Sequence, residues 1–320
     1  MKNTFDSLKQ LLNNFKSESF CREYVAEKRW GKTLACPYCG SMDKVWKIEG
    51  GKRYKCSDKK CNKKFSVTVG TIFEDSKLPL STWFQAMYLI TTSKKGISSL
   101  QLASQLGLTQ KTAWTVNHKI REMLTEKNPT LLSNSIEADE TYVGGKEKNK
   151  HSNKKKPQDF RTAGEKRKLN TGRSITDKAV VLGIVERNGK VVAKHVPTAS
   201  ADNIIQMFDK HVAKGTTVNT DEYYAYTRLQ GYDHQTIQHG AKEYVHGTIH
   251  TNTIEGFWSL FKRGIYGIYH SVSQKHLDRY ISEFSGRYNT RAISNTERFN
   301  TVLLNCEGNL SYNKLIAKKS

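Results

Sequence analysis

The chain has 320 residues, enough for two domains or one large one, and its 52 lysines and arginines exceed its 30 aspartates and glutamates by a formal charge of +22. This excess is larger than solubility needs and predicts a polyanionic partner, which we expect to be nucleic acid rather than a membrane surface. No run approaches the roughly 18 apolar residues that span a bilayer, and the N-terminal MKNTFDSLKQ lacks the apolar core of a signal peptide, so we expect a cytoplasmic protein.

Residues 1–33 are predicted to form an N-terminal helical segment. Phe5, Leu8, Leu12 and Phe15 recur at helical spacing, so one side of the first helix is apolar. We expect that side to pack on a core, together with the aromatic side chains that follow it.

Residues 34–78 contain Cys36, Cys39, Cys56 and Cys61 in the spacing C-x2-C, sixteen residues, C-x4-C. Each pair can form a turn that offers two thiolates to one tetrahedral zinc ion. Between the pairs lie two predicted strands around a Gly-Gly turn, and residues 65–69 read as a third strand. We predict a zinc ribbon with one structural Zn²⁺, since four thiolates leave no open coordination position. Unligated core cysteines are the alternative, and the second knuckle is two residues longer than usual.

Residues 79–130 are predicted to form a helix-turn-helix region that binds DNA. After a helix at 80–92, the sequence GISSLQLASQLGLTQKTAWTVNHKIREML predicts two helices joined at Gly107, with Leu100, Ala103 and Leu106 facing a core. Thr109 can cap the second helix. That helix is expected to present four side chains to DNA: Gln110, Lys111, Thr115 and His118. A generic helical hairpin is the alternative.

Residues 134–300 are predicted to form a further domain, which begins with a strand at 136–142. A basic insertion follows at 146–173, with eleven lysines and arginines, three acids and few apolar residues. This composition indicates a loop. We expect its Lys154, Lys155 and Lys156 to contact DNA phosphates, and a merely solubilising loop is the alternative.

Strands and helices alternate after the insertion. We predict a strand hairpin at 179–186 and 191–196, a helix at 200–214, a strand at 216–221, a short aromatic helix at 223–229, a strand at 236–238, helices at 250–270 and 274–289, and a tail at 301–320. This is the element order of the RNase H-like fold. The predicted class is α+β: a zinc ribbon and helix-turn-helix, then an RNase H-like α/β catalytic domain with a mixed five-stranded sheet.

Three acids lie on different elements of this domain and can converge. Asp139 is expected to close the first strand and Asp221 the fourth, and Glu255 lies on the helix expected to pack beside them. Carboxylates offer the hard oxygens that Mg²⁺ prefers, and two Mg²⁺ ions about 3.5–4 Å apart, replaceable by Mn²⁺, can promote displacement at a phosphodiester. All three acids could instead be solvated. Glu140 and Glu222 are rival ligands, and pleating should let only one of each neighbouring pair point inward.

The stretch HTNTIEGFWSLFKRGIYGIYH puts an amide, a carboxylate and an ammonium along one helix face. Glu255 and Lys262 are seven residues apart, so at about 100° per residue their directions differ by roughly 20°. Asn252 lies near the same face, and Arg263 follows Lys262. A surface salt bridge would explain the pair. A carboxylate for metal beside a cation for DNA phosphate is the functional alternative.

Five segments carry a resemblance to a known family: CPYCG, KKFSVTVGTIFEDSKLPLSTWF, ADETYVGGK, TDEYYAY and HTNTIEGFWSLFKRGIYGIYH. Over nearly the whole length, the chain resembles the DDE transposases of small bacterial insertion sequences, in the ISXO2-like group with an N-terminal zinc ribbon. The resemblance implies that Asp139, Asp221 and Glu255 bind the catalytic metals and that Lys262 contacts DNA. Because the third acid varies among such proteins and some use asparagine, Asn252 is a rival or auxiliary ligand.

The resemblance implies a transposase that binds the ends of its insertion sequence, cleaves DNA and joins the 3′-OH to target DNA by two-metal transesterification. It also implies a homo-oligomer assembled on double-stranded DNA, associated with the nucleoid in the bacterial cytoplasm. Two alternatives stay open. One is an RNase H-like nuclease that only hydrolyses DNA, and the other is a zinc-ribbon DNA-binding regulator with an inactive catalytic domain.

Overall fold

The structure, a computed structural model, describes residues 4–127, 129–144, 178–237 and 250–317. The chain divides into two compact units, which we call the ribbon unit (Met1–Lys127 with Thr290–Ser320) and the sheet unit (Asn128–Asn289). Across the described ranges, no helix is both long enough and apolar enough to span a bilayer.

The described helices and strands follow one another as α1 (Leu8–Asn14), α2 (Glu18–Trp30), β1 (Val45–Ile48), β2 (Arg53–Cys56), β3 (Lys64–Phe65), α3 (Leu80–Thr92), α4 (Ser99–Leu106), α5 (Gln110–Met123), β4 (Ile136–Val143), β5 (Ala179–Glu186), β6 (Val191–Val196), α6 (Ala201–His211), β7 (Thr217–Thr220), β8 (Asp233–Thr236), α7 (Asn252–Gly264), α8 (Gln274–Asn289), α9 (Asn295–Leu304) and α10 (Tyr312–Ile316). A short 3₁₀ helix covers Tyr224–Arg228, and a π-helical turn covers Ile265–Tyr269 directly after α7.

The ribbon unit contains the predicted zinc ribbon as an antiparallel sheet of β1, β2 and β3. The first two strands lie close to their predicted positions. The third ends at Phe65 rather than Val69, because the amide of Val69 bonds back to the carbonyl of Ser66 in a tight turn instead of across the sheet.

An aromatic cluster joins the helices of the ribbon unit. Phe15 packs edge-on against Phe84 with ring centroids 4.8 Å apart, and Phe84 packs in the same way against Phe299 of α9 at 5.2 Å. Such pairs contribute about 0.5–1.5 kcal/mol each beyond their burial. Residues from Thr290 onward therefore belong to this core, whereas the boundaries drawn from the sequence placed 134–300 in the catalytic domain and 301–320 in a tail.

The helices α4 and α5 form the predicted pair around Gly107, whose φ of 63° lies in the left-handed region that favours glycine and ends α4. The side chain of Thr109 caps α5, as predicted, by accepting a hydrogen bond from the amide of Thr112. The predicted inward face of α4 is wrong at Leu100, which is 69% exposed, while Leu102 is buried. Residues two apart on a helix point about 160° away from each other, so only one of them can face the core.

The large sheet of the sheet unit has five strands in the described residues, in the order β6-β5-β4-β7-β8. The strands β4, β5 and β6 pair antiparallel, whereas β4, β7 and β8 pair parallel. This order is that of the RNase H-like fold, and the predicted α+β class with a mixed five-stranded sheet is confirmed. The basic insertion 146–173, with Lys154, Lys155 and Lys156, lies outside the described residues.

Helices cover both faces of the large sheet. On one face α6 packs with Ile136 and Ala138 of β4, and on the other α7 and α8 pack with Val143. Because side chains alternate along a strand, Glu137 and Asp139 belong to the face that α7 covers.

Gly183 of β5 allows α7 to approach the sheet closely. A Cβ atom at this position would lie 2.4 Å from the ring of Trp258 and 3.1 Å from Ile254, both on α7. The strand register pairs Gly183 with Asp139. The helix α7 therefore lies close against the sheet beside Asp139.

Candidate active site and zinc site

Acidic side chains meet where the first and fourth strands of the large sheet run side by side. The parallel strands β4 and β7 pair Glu137 with Asn219, so Asp139 and Asp221 each lie two residues further along. Asp139, Glu140 and Asp221 each place one carboxylate oxygen within 4.8 Å of the other two. We call these three residues the acidic cluster.

The pKa of Asp139 reflects its burial and the acids around it. Burial raises the pKa of Asp139, the negative charges of Glu140, Asp221 and Glu255 raise it further, and it reaches about 7. The amide N–H of Glu140 donates to Asp139 Oδ1 at 2.8 Å and opposes the shift in part. Carboxylates this close need a proton or a cation among them, and their hard oxygens suit Mg²⁺ or Mn²⁺. The donor set therefore fits a divalent cation.

Pleating predicts that Asp139 and Glu140 point to opposite faces, and the expectation that only one of them reaches the site is wrong. Asp139 lies within β4 rather than at its end. Its carboxylate accepts the amide of the next residue, Glu140. The hydroxyl of the buried Tyr226 donates to Glu140 Oε2 at 3.3 Å. The rival acid Glu222 is exposed and lies outside the cluster found in the described ranges.

Glu255 approaches the cluster from α7. It lies exposed in the first turn of that helix, where its Oε1 accepts a hydrogen bond from the Thr251 hydroxyl at 3.1 Å. Its charge contributes to the raised pKa of Asp139, although it lies outside the 4.8 Å cluster. Asn252, the first residue of α7, is also exposed.

Lys262 and Arg263 lie exposed in the last turn of α7. Arg263 Nε donates to the backbone carbonyl of Ser259 at 3.2 Å. Cations in the last turn of a helix interact favourably with its dipole, which is the structural alternative to a role in binding phosphate.

A fully buried acid, Glu137, lies near the cluster and was not among the residues predicted from the sequence. It lies two residues before Asp139, and its carboxylate pairs with Arg187 Nε at 2.8 Å. The sequence does contain an indication of its position, because strand alternation places Glu137 on the same face as Asp139.

The four cysteines of the ribbon converge on one point. Their Sγ atoms all lie within 4.8 Å of one another, and the pairs Cys36–Cys61 and Cys39–Cys56 are each separated by 3.7 Å. These separations exceed the disulfide length of about 2.05 Å. They match the sulfur–sulfur separation of about 3.8 Å that follows from tetrahedral zinc with bonds of about 2.3 Å. The site therefore fits one Zn²⁺.

Backbone groups of the first knuckle favour a thiolate at Cys36. Burial opposes its ionisation, but N–H groups of Tyr38 and Cys39 bring the pKa of the Cys36 thiol below its ordinary value. The thiolate is the form that binds zinc.

The longer second knuckle is braced by Asp58. Its carbonyl accepts the amide of Cys61 at 2.9 Å, and its carboxylate accepts the amide of Lys60 at 3.0 Å and Lys44 Nζ at 3.1 Å. The two extra residues thus form a turn that leaves the four sulfur atoms together.

The residues of α5 predicted to contact DNA lie in different environments. Gln110 and Lys111 are exposed at the start of the helix. Gln110 Nε2 donates to Ser99 Oγ at 2.9 Å, and Lys111 Nζ lies 4.6 Å from the centroid of the Tyr312 ring. Thr115 is half-buried, and its hydroxyl donates to the carbonyl of Lys111 at 3.0 Å.

The prediction that His118 faces outward is wrong. Its side chain is fully buried and packs edge-on against Trp114, with ring centroids 4.4 Å apart. Residues four apart on a helix share a face, and this pair adjoins the buried Ala113 and Val116. His118 therefore belongs to the core of the ribbon unit in this conformation.

Known proteins resemble the chain over most of its length. Residues 131–289 match the ISXO2-like transposase domain, and residues 16–64 match the transposase zinc-ribbon domain. The chain is 28% identical over 304 residues to an uncharacterized protein in transposable element ISH50 of Halobacterium salinarum, which covers 91% of this chain and 98% of that protein. The crystal structure of a pre-cleavage Mos1 transpososome matches 72% of this chain and 80% of its own at 12% identity, with a TM-score of 0.26, too low to support an inference.

Proposed function

Because the chain belongs to the ISXO2-like transposases with an N-terminal zinc ribbon, we propose that it binds the ends of its insertion sequence, cleaves the DNA there and joins the freed 3′-OH to target DNA. The observation that carries this proposal is the acidic cluster. Asp139 and Asp221 come from adjacent parallel strands of the matched domain, and Glu255 on α7 lies within electrostatic range of them.

Asp139, Asp221 and Glu255 are the proposed ligands of two Mg²⁺ ions, with Mn²⁺ as a substitute and Asn252 as a rival or auxiliary ligand. When bound, the ions supply the Lewis acidity that activates an attacking oxygen and stabilises the leaving oxygen of a phosphodiester. Near neutral pH Asp139 is protonated part of the time, because its pKa is about 7. That proton must leave its carboxylate before the oxygens can act as ligands.

Lys262 and Arg263 are proposed to hold a DNA phosphate beside the cluster. Both are exposed cations on the helix that carries Glu255, so a phosphate bound to them is oriented relative to that acid. Water is the proposed first nucleophile and the freed 3′-OH the second. No covalent link between protein and DNA is needed.

End recognition is assigned to residues 34–130. Cys36, Cys39, Cys56 and Cys61 are proposed to hold one structural Zn²⁺, which fixes the ribbon. The exposed start of α5, with Gln110 and Lys111, is proposed to contact base edges and so to provide sequence specificity. Lys154, Lys155 and Lys156 of the insertion are proposed to bind DNA phosphates whatever the sequence. Two ends must meet during transposition, so we expect the protein to act as a homo-oligomer on DNA.

The test is to incubate the full-length protein with Mg²⁺ and labelled DNA from the flanks of its gene, together with unlabelled target. Labelled products joined to the target support the proposal. Cleaved but unjoined products favour the hydrolytic nuclease, and specific binding without cleavage in either Mg²⁺ or Mn²⁺ favours the regulator. Asp139→Asn is the control, since it should remove both products and preserve DNA binding.

A further inference from the structure

Glu137 is a charged residue in a place where charge is costly. It lies on β4, and its side chain is 0% exposed. A buried carboxylate persists only when partners replace the hydration it has lost. The identity of those partners indicates what the residue does.

The partners of Glu137 come from two other parts of the sheet unit. Oε1 accepts hydrogen bonds from Arg187 Nε and from the Thr253 hydroxyl, both at 2.8 Å, and lies 3.1 Å from His250 Nδ1. Oε2 accepts the backbone amides of Thr253 at 2.7 Å and Ile254 at 3.0 Å. A carboxylate has about four lone-pair sites. Four hydrogen bonds therefore leave none for a metal ion, and Glu137 is not a ligand.

These amides belong to the first turn of α7, where backbone N–H groups have no partner within the helix. The N-cap residue Thr251 does not cap the helix with its side chain, which donates to Glu255 instead. The cap is supplied by Glu137 from a strand distant in sequence. A negative charge at this end also interacts favourably with the helix dipole.

Arg187 braces the same junction from the end of β5. Besides Glu137, its guanidinium binds the carbonyl of His250, to which Nη2 donates at 2.9 Å. Its own amide donates to the carbonyl of Ser135, one residue before β4, at 3.0 Å. Glu137 and Arg187 thus tie together the start of β4, the end of β5 and the approach to α7.

We infer that Glu137 is a positioning residue that sets the distance between Asp139 and Glu255. Asp139 follows Glu137 by two residues on the same face of β4, and Glu255 follows the captured amide of Ile254 by one residue. The carboxylate of Glu137 therefore joins the strand and the helix that carry these two acids by hydrogen bonds. The inference rests on the proposed function in one respect, that Asp139 and Glu255 act on the same metal site.

Glu137→Gln tests the inference, because glutamine keeps the size of the side chain and removes its charge. Its amide has one accepting oxygen, so it cannot satisfy both Arg187 and the two amides of α7. We expect strand transfer to fall about 10- to 100-fold, since misplacing a reacting group by about 1 Å costs that much. DNA affinity should stay within about twofold. Mn²⁺ affinity should fall about tenfold or more, the usual loss when a group that supports metal ligands is removed.

Hydrogen exchange in the metal-free protein provides a readout that does not depend on catalysis. In Glu137→Gln, peptides that cover residues 250–258 should exchange faster, because the amides of Thr253 and Ile254 lose their acceptor. The matched control is Glu186→Gln. Glu186 Oε1 also accepts two backbone amides, those of Ser133 and Asn134, at 3.2 and 3.1 Å. That variant should leave exchange at 250–258, Mn²⁺ affinity and strand transfer unchanged.

Wild-type exchange at 250–258 together with wild-type Mn²⁺ affinity in Glu137→Gln would overturn the inference. If that variant does not fold, Thr253→Ala takes its place, since it removes one of the four hydrogen bonds and leaves the amides. A loss of about two- to fivefold in Mn²⁺ affinity would then support the inference, and no loss would overturn it. Failure of the wild-type protein to cleave DNA would refute the proposed function, whereas the exchange measurement would still decide whether Glu137 fixes α7.

Discussion

The two candidate metal sites are assembled in opposite ways. All four cysteines lie between positions 36 and 61, and each pair belongs to one local turn. Asp139 lies on β4, Asp221 directly after β7 and Glu255 on α7, and these elements meet only when the large sheet has formed. The cysteine site is thus determined by the spacing of residues that are close in sequence. The acidic site is determined by the order in which strands and helices pack.

The two sites also differ in what happens without metal. Four cysteines can become neutral thiols, but the small sheet around them is then left with little core of its own. Burial, and after it the repulsion of neighbouring carboxylates, raises the pKa of Asp139, yet the acids sit on a sheet covered by helices on both faces. We therefore expect zinc to contribute to folding and magnesium to contribute mainly to chemistry.

Removing zinc should have the largest effect. Structural zinc in zinc-finger peptides supplies about 10–16 kcal/mol of apparent free energy, which is comparable to the whole stability of a typical domain. Cys36→Ser should therefore unfold the ribbon and weaken specific end binding. Hydrogen exchange over residues 34–65 measures the first effect. Mn²⁺ binding at the acidic cluster should be unchanged, and purified wild-type protein should contain one zinc per chain. Absence of zinc would contradict this prediction.

Removing one acid should have the next largest effect. Asp139→Asn, Asp221→Asn and Glu255→Gln should each lower cleavage and joining about a thousandfold or more, because each loses a charge that the proposed metals need. DNA binding and the fold of the ribbon should remain. A double variant should be little worse than a single one, since the first loss already dismantles the site.

Glu222→Gln is the matched control for the acids. Glu222 is exposed beside Asp221 but lies outside the cluster of the described residues, so its loss should leave cleavage within about twofold. Full strand transfer by Glu255→Gln would reject its assignment and transfer the role to Asn252.

Lys262→Ala should have an intermediate effect on the chemistry. It removes a cation proposed to orient phosphate and leaves the metal ligands in place, so we expect a loss of about 10- to 100-fold in strand transfer. Lys210→Ala is the control, because Lys210 is also exposed but lies on α6, which covers the other face of the sheet. Equal losses from the two variants would indicate that only net charge matters.

Contacts to bases and contacts to phosphates should separate within the proposed DNA-binding residues. Gln110→Ala should cost about 1–3 kcal/mol for the specific end sequence and little for other DNA. Replacing Lys154, Lys155 and Lys156 with alanine should weaken binding to both DNAs alike and reduce the salt dependence by about 0.9 per lost contact. Titrations of both DNAs at several salt concentrations measure this. If Gln110→Ala lowers the affinity for both DNAs equally, α5 does not recognise the sequence and its role is structural.

The difference between residues that are close in sequence and residues brought together by folding explains which features could be predicted from the sequence. Cysteine spacing predicts the ribbon because the ligands of one site are neighbours in the chain. The order of strands and helices predicts the large sheet, and the strand hairpin at 179–186 and 191–196 lies where the pattern put it. Asp139 and Asp221 follow from that order, since parallel neighbouring strands bring their corresponding positions together.

Features that depend on packing between distant segments could not be predicted in this way. The role of Glu137 depends on its hydrogen bonds to Arg187 and to the start of α7, and neither partner is its neighbour in the sequence. The buried position of His118 depends on the phase of α5 against its core, and a shift of one residue turns a side chain by about 100°. The packing of α9 in the ribbon unit includes Phe299, whose aromatic partners lie some two hundred residues or more earlier.

The last and smallest expected effect concerns a single proton in the acidic cluster. The pKa of Asp139 is about 7 in the folded, metal-free protein, compared with about 3.9 in an unfolded chain. Well below pH 4 the carboxyl is protonated in both states. Between pH 4 and 7 the unfolded state loses the proton first, so the contribution of Asp139 to stability falls as the pH rises. Above pH 7 the whole penalty is present, a few kcal/mol at most.

Asp139→Asn should therefore raise the thermal midpoint of the metal-free sheet unit by a few degrees at pH 8 and change it little at pH 4. Buffers without Mg²⁺ should be used rather than a chelator, which would also remove zinc from the ribbon. Added Mg²⁺ should stabilise the wild-type protein more at pH 8 than at pH 6, because at lower pH it competes with the proton on Asp139. If Asp139→Asn instead lowers the midpoint equally at both pH values, the Asp139 carboxylate is stabilised by its protein partners without a metal ion. The proposed difference between the two sites, in which zinc stabilises the fold of the ribbon and a cation relieves repulsion among the acids, would then be wrong.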